Sequence, residues 1–311
     1  MQNPAPNLRE KLKLRHLDAQ KDLHARHPHA KIFFDQKGLD LGKIRQHAAK
    51  LLAAGSLGGA LLLAPPAHAE APLRLPEPIV QALTAGGAAL PDEPQNWLVS
   101  SLREVLPPIS DRWGLPFLDQ EEERVVGRII ERATKIPARA SLEGEHLNTV
   151  YGITGYEQHL ARYPGDNISL HNEFREAGMA PGLGGFGYFN EGGKLTPDAT
   201  LREKYYLVAQ LMYLPDWEKR VRYLVPWYKW RKMIMVNVEN GNAVIGVMGD
   251  AGPAAWTGKH FGGSPEAMNV LGGPKYRNGR VLLYFVDDPE NKIPLGPVDY
   301  TKLDIPVVKS I

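Results

Sequence analysis

The period of apolar and polar positions changes along this chain, and the changes mark its elements. Between Leu118 and Thr134, Val125, Val126, Ile129 and Ile130 recur at helical spacing behind the acidic run Glu121-Glu122-Glu123. That pattern predicts an amphipathic helix capped by Asp119, whose acidic first turn suits the positive N-terminal end of its dipole. Trp97–Val105 predicts a shorter helix, and Ile79–Leu83 one more turn within the Pro/Ala/Gly-rich residues 70–98. Residues 231–248, RKMIMVNVENGNAVIGVM, read as two strands. Asn240-Gly241 between them predicts a hairpin with a type I′ turn, in which both central positions need positive φ. Tyr205–Tyr213 reads as a strand or short helix and Val281–Val286 as a buried strand. Pro265–Leu271 predicts one or two helical turns with Met268 and Leu271 facing inward.

A different pattern occupies the N-terminal part. Leu51–Ala64 carries no charge; Lys43, Arg45 and Lys50 precede it, and Pro65-Pro66 and Ala67-His68-Ala69 follow. This is the basic, apolar, small-x-small order of a secretory signal. Fourteen residues span about 21 Å as a helix, short of a bilayer core of about 30 Å. The expectation is an exported protein of the cell envelope or the secreted fraction, anchored in the membrane by residues 48–64 if that segment is not cleaved. The rival reading is a buried Ala/Leu helix of a cytosolic protein. Six of the ten histidines (His16, His24, His27, His29, His47 and His68) lie in this leader; no carboxylate stands at ligand spacing in HARHPHAK, so they read as solvated.

Composition narrows the function classes. The 311 residues are 43% hydrophobic and 23% charged, with mean hydropathy −0.31, which fits a globular protein and excludes a polytopic membrane protein. No cysteine is present, which excludes disulfides, thiol nucleophiles and Cys-ligated metal. Residues 1–47 hold ten Lys and Arg against five Asp and Glu, whereas from Glu70 onward 26 basic residues face 30 acidic ones. A mildly acidic body gives no electrostatic reason to expect nucleic acid.

The most informative stretch is Met235–Leu271, MVNVENGNAVIGVMGDAGPAAWTGKHFGGSPEAMNVL. It resembles the core of the double-psi β-barrel proteins of the rare lipoprotein A and expansin type. The pieces that carry the resemblance are Val236-Asn237, Asn240-Gly241, Val244–Val247, Asp250-Ala251-Gly252-Pro253 and Ser264–Gly272. Gly185–Phe189 stands for the family's first glycine/aromatic strand and Val281–Val286 for its closing strand. The resemblance implies an α+β protein with a double-psi β-barrel, acting on peptidoglycan or another polysaccharide. It also implies that Asp250 is the first of the family's two acids. Gly262 stands where the second is expected. Glu266 is the nearby replacement, although its place in a first helical turn suits interaction with the helix N-terminus. A carboxylic acid with a raised pKa can protonate a glycosidic oxygen, and a second carboxylate normally accompanies it.

Eight of the 26 aromatic residues fall within 205–230, interleaved with Lys and Arg. Tyr206, Trp227 and Trp230 from that cluster, with Trp256 and His260, are the expected sugar contacts, set against core packing as the alternative for large rings. Glu145-His146, Glu157-Gln158-His159, Asp166 and His171-Asn172-Glu173 gather three histidines and several carboxylates without a recognised zinc spacing. His159 is expected to brace a glycine-rich loop against Asp166, and no metal or cofactor is assigned. Gly182–Gly187 lacks the helix and acid of a dinucleotide site.

The chain therefore divides into a leader (1–69), a linker (70–95), a helical region (96–140) and a barrel domain (141–311) ending in an extended tail over Pro294–Val307. The expected function is polysaccharide binding in a barrel groove. A glycan-cleaving hydrolase or lytic transglycosylase with Asp250 as general acid, a barrel that binds another protein, and a wall metallopeptidase stand as alternatives.

Overall fold

The computed structural model describes residues 79, 80, 83, 93–107, 118–190, 192, 193 and 195–302. The leader with its signal-like segment lies outside them. Among the described residues no helix is long and apolar enough to cross a membrane.

Ile79, Val80 and Leu83 are helical, and helices α1 (Pro94–Val105) and α2 (Gln120–Thr134) are the first elements described from end to end. Asp119 Oδ1 accepts the backbone N–H groups of Glu121 (2.7 Å) and Glu122 (2.8 Å), and the Glu122 carboxylate accepts the N–H of Asp119 (2.7 Å). This reciprocal box satisfies donors that a helix start otherwise leaves open. Short strands β1 (Ala138–Arg139), β2 (Ser141–Leu142) and β3 (Glu145–His146) lead into β4 (Tyr151–Tyr156). After an excursion of some forty residues come α3 (Pro197–Lys204), β5 (Tyr206–Ala209), α4 (Trp217–Tyr228) and β6 (Lys232–Asn237). The chain continues through β7 (Ala243–Asp250), β8 (Phe261–Gly263), α5 (Pro265–Gly272), β9 (Asn278–Val286) and β10 (Gly296–Pro297).

Six of these strands close a mixed β-barrel. β9 pairs antiparallel with β4 and with β6, β6 pairs antiparallel with β7, and β5 antiparallel with β8. Two parallel ladders, β5 with β7 and β4 with β8, complete the ring. The pairing repeats internally: exchanging β4, β5 and β6 for β7, β8 and β9 maps each ladder onto one of the same sense.

Side chains on alternate positions serve two cores. Met233, Met235, Val244, Met248, Val281, Leu283 and Phe285 join Leu224 and Tyr228 of α4 and Met268 and Leu271 of α5 in one buried cluster. The intervening Ile234, Val236, Ile245, Leu282 and Tyr284 pack with Leu98, Leu102, Val126, Ile129 and Ile130 of α1 and α2 in another. Because both faces of these strands are covered, their sequences read as continuous apolar runs rather than as alternation. A third cluster, Leu160, Phe189, Ala199, Tyr206 and Val208, joins the 157–204 excursion to β5.

Several local expectations change. The β6–β7 connection takes five residues, 238–242, closed by Asn237 N–H to Asn242 O (2.9 Å) and Gly241 N–H to Asn237 O (2.9 Å). Gly241 has φ 74° while Asn240 does not adopt positive φ, so the turn is a wider one than type I′. Tyr205–Tyr213 splits into β5 and a 3₁₀ turn, Leu211–Tyr213. Gly185–Phe189 is a loop; the strand rich in glycine and aromatics is β4, YGITGY. The tail pairs with the barrel through β10 and β7, and the Tyr300 hydroxyl donates to Gly241 O (2.6 Å).

Candidate functional site

Four residues stand in register across neighbouring strands: Gly155 on β4, Gly262 on β8, Val208 on β5 and Asp250 on β7. The two glycines leave space that long side chains fill. A Cβ at Gly155 would collide with the Lys259 side chain, and a Cβ at Gly262 with the Glu157 carboxylate. Glu157 leaves β4 with its N–H donating to Gly263 O (3.0 Å), one more rung of the parallel ladder. Its carboxylate thus occupies the space beside residue 262, which carries no side chain of its own. Burial pushes the Glu157 pKa up to about 7 against the pull of Lys259, and the charge of Asp250 adds to the rise.

Asp250 closes the row at the end of β7. Its Oδ1 accepts the N–H groups of Gly185 (2.7 Å) and Ala251 (2.7 Å). The glycine-rich 182–187 segment therefore cradles this acid, since a Cβ at Gly185 would lie 2.7 Å from Oδ1. Asp250 remains half-buried and is followed by the Gly252-Pro253 turn. Strands stand about 4.8 Å apart, so Asp250 and Gly262, two strands apart, are separated by about 10 Å at their Cα atoms. The Glu157 carboxylate lies over Gly262 at one position of this row and the Asp250 carboxylate ends it on β7.

Compared with family models, curated proteins and solved structures, the chain has no match in any of the three.

Beside the row, two short turns carry exposed rings. Trp256, in the 3₁₀ turn Ala255–Thr257, is 82% exposed, and Tyr213 and Met212 are also exposed. The Tyr213 hydroxyl accepts the Ala255 N–H (3.0 Å), and Gln210 Nε2 donates to Lys259 O (2.8 Å). These bonds fix the segment that carries Trp256 and Lys259 to Gln210 and Tyr213. His260 lies over Gly152 with Nδ1 accepting the Ile153 N–H (3.3 Å), and burial lowers its pKa.

Of the other aromatic candidates one is buried and two are half-buried against neighbouring side chains. Tyr206 is fully buried, its hydroxyl donating to Gln158 O. Trp230 stacks on Phe189 with ring centroids 4.5 Å apart. Trp227 stands edge-on to Tyr228 and Phe285, donates from Nε1 to Glu143 (2.9 Å), and is covered by the Arg231 guanidinium at 4.2 Å. Their clustering in sequence follows from α4, whose Leu224 and Tyr228 pack inward.

A second polar cluster is buried beneath the excursion. His159 Nδ1 faces Glu203 Oε1 (2.8 Å), and His171 Nδ1 faces Glu203 Oε2 (3.5 Å). His171 Nε2 faces Asp166 Oδ2 (3.3 Å), which Arg162 holds through Nε (2.9 Å) and its own backbone N–H (2.9 Å). Asp166 thus partners His171 and Arg162, while His159, expected to brace it, partners Glu203. The expected constellation splits: Glu145 pairs with Arg220 and His146 with Glu123 (2.7 Å), away from this cluster.

Sequence reasoning missed Glu203 and the pairing of Glu157 with Asp250. Glu203 sits 44 residues from His159 on a helix with no motif. Glu157 and Asp250 are 93 residues apart in sequence, and the ladders of β4, β8, β5 and β7 set them along one row.

Proposed function

We propose that this chain is an exported double-psi barrel protein that binds cell-envelope polysaccharide, peptidoglycan first, and cleaves its glycosidic bonds. The double-psi assignment is supported by the internal repeat of the pairing, in which two parallel ladders interlock the halves β4–β6 and β7–β9. The observation that carries the catalytic reading is the Glu157 carboxylate over Gly262, in one row with Asp250. Gly262 gives up its own side chain and a carboxylate from the next strand takes the space.

In this reading Glu157 protonates the departing glycosidic oxygen. Asp250, held by two backbone N–H groups, is the second carboxylate, stabilising positive charge that develops on the sugar or activating a water. Trp256 offers a flat apolar face beside the row, and Lys259 a cation for carboxylates or hydroxyls of the glycan. Export is supported by the order of charges, apolar residues and AxA in the leader.

Release of soluble fragments from purified peptidoglycan tests the proposal. Glu157→Gln and Asp250→Asn should each lower release by about 10²–10⁴-fold while retention on the insoluble wall persists. Release unchanged by either substitution removes the pair from the chemistry, and a wild-type protein that neither binds nor cleaves ends the proposal.

A further inference from the structure

The buried cluster of His159, His171 and Glu203 has a feature that hydrogen bonding within the protein does not satisfy. Each imidazole has an acceptor at both ring nitrogens: Glu203 Oε1 (2.8 Å) and Phe174 O (3.3 Å) for His159, Glu203 Oε2 (3.5 Å) and Asp166 Oδ2 (3.3 Å) for His171. A neutral imidazole has one N–H. Filling all four positions with protons would place two imidazolium rings 4.4 Å apart, both at most 3% exposed. Like charges in so dry a place are costly.

One bound divalent cation removes the conflict. With the cation between the two Nδ1 atoms and Glu203, each ring is neutral and donates its Nε2–H outward, to Phe174 O and to Asp166. Metal-binding histidines characteristically carry such an outer partner, a carboxylate or a backbone carbonyl. Asp166 is itself fixed by Arg162. One atom from each of the three residues lies within 4.8 Å of the others. Tetrahedral ligands around zinc stand about 3.3 Å apart, given Zn–N of about 2.0–2.1 Å, so a contraction of about 1.5 Å closes the shell.

An independent observation points to the same place. Glu266, 5% exposed in the first turn of α5, has an Oε2 with no hydrogen-bond partner. Its helix is pinned to the end of α3, where Ser264 Oγ donates to Lys204 O, next to Glu203. One oxygen of a buried carboxylate is thus left without a protein partner on the helix that packs beside the end of α3.

We propose that His159, His171 and Glu203 form a buried structural site for a divalent transition-metal ion, zinc foremost, that clamps the 157–178 segment to α3. Two imidazoles with a carboxylate select a borderline cation of the zinc class over calcium or magnesium. The burial of all three ligands marks a closed structural site rather than a hydrolytic one. The proposal stands independently of the glycan reading.

The test uses the full chain purified without chelator, with metal measured by inductively coupled plasma mass spectrometry. Wild type should carry one zinc per chain more than Glu203→Gln and His171→Gln; the leader histidines are the same in all three and cancel as background. Chelation should lower the melting temperature of wild type, and added Zn²⁺ should restore it. Should those variants fail to fold, Asp166→Asn keeps both imidazoles and Glu203 and should weaken zinc affinity 10–100-fold in chelator competition. Equal metal content in wild type and variants, or an Asp166→Asn affinity equal to wild type, overturns the proposal.

Discussion

Glycine is used in this barrel for close approach, and what approaches decides what a methyl group would do. At Gly262 the nearest atoms belong to the tip of the Glu157 side chain, whereas at Gly246 the nearest is the backbone carbonyl of Tyr205. A flexible carboxylate swings aside and a backbone carbonyl in a ladder does not. Gly262→Ala should therefore cost less than about 1 kcal/mol of stability yet lower glycan cleavage more than tenfold, by displacing Glu157 from the row. Gly246→Ala should cost at least about 1–3 kcal/mol, the usual range for overpacking. Urea denaturation of both variants checks the stability order, and wall digestion by Gly262→Ala checks the functional half. The place of Asp250 at a strand end was legible in the sequence because Gly-Pro after an apolar run is a local signal. The place of Glu157 was not, because its carboxylate lies over an empty Cβ position 105 residues away.

Elements with a strong local period were read closely, and those defined by packing were not. α2 was visible from its cap, its acidic turn and its apolar stripe. α4 was hidden, since its rings and cations suggested a binding surface and the helix emerges through what Leu224 and Tyr228 bury. The end of β9 depends on another nonlocal contact. Asp288 accepts the N–H groups of Lys292 (2.9 Å) and Ile293 (2.9 Å) and pairs with Lys232 of β6 at 2.5 Å. Burial alone would raise its pKa, but the Lys232 ammonium and the two N–H groups outweigh it and hold the carboxyl below its usual range. The native state therefore binds fewer protons here than the unfolded chain. The stabilisation is complete above the unfolded pKa of about 3.9 and is lost as pH falls through the lower folded value. Asp288→Asn should melt below wild type from pH 7 to about pH 5, and the two melting curves should converge in stronger acid. A constant gap down to the lowest pH would mean that Asp288 acts through packing instead.

For the whole molecule, barrel closure is what brings the candidate acids together. The segment 235–271 supplies β7, the Gly-Pro turn, β8 and α5, but the second carboxylate comes from the far end of β4 through a parallel ladder. Local pattern identifies strands; which strands run side by side in parallel is set by the closed path. Trp256 is exposed, Tyr206 is buried, and Trp227 and Trp230 are half-buried, each against a neighbouring ring. The central claim is that glycan occupies this row. The most direct measurement is NMR titration of the isotope-labelled chain with a soluble peptidoglycan oligosaccharide. The account predicts saturable shifts at the Trp256 indole N–H and at the amides of Gly155, Gly185 and Gly262. Saturating sugar that leaves these signals in place, or moves only signals on the α1–α2 face, contradicts it.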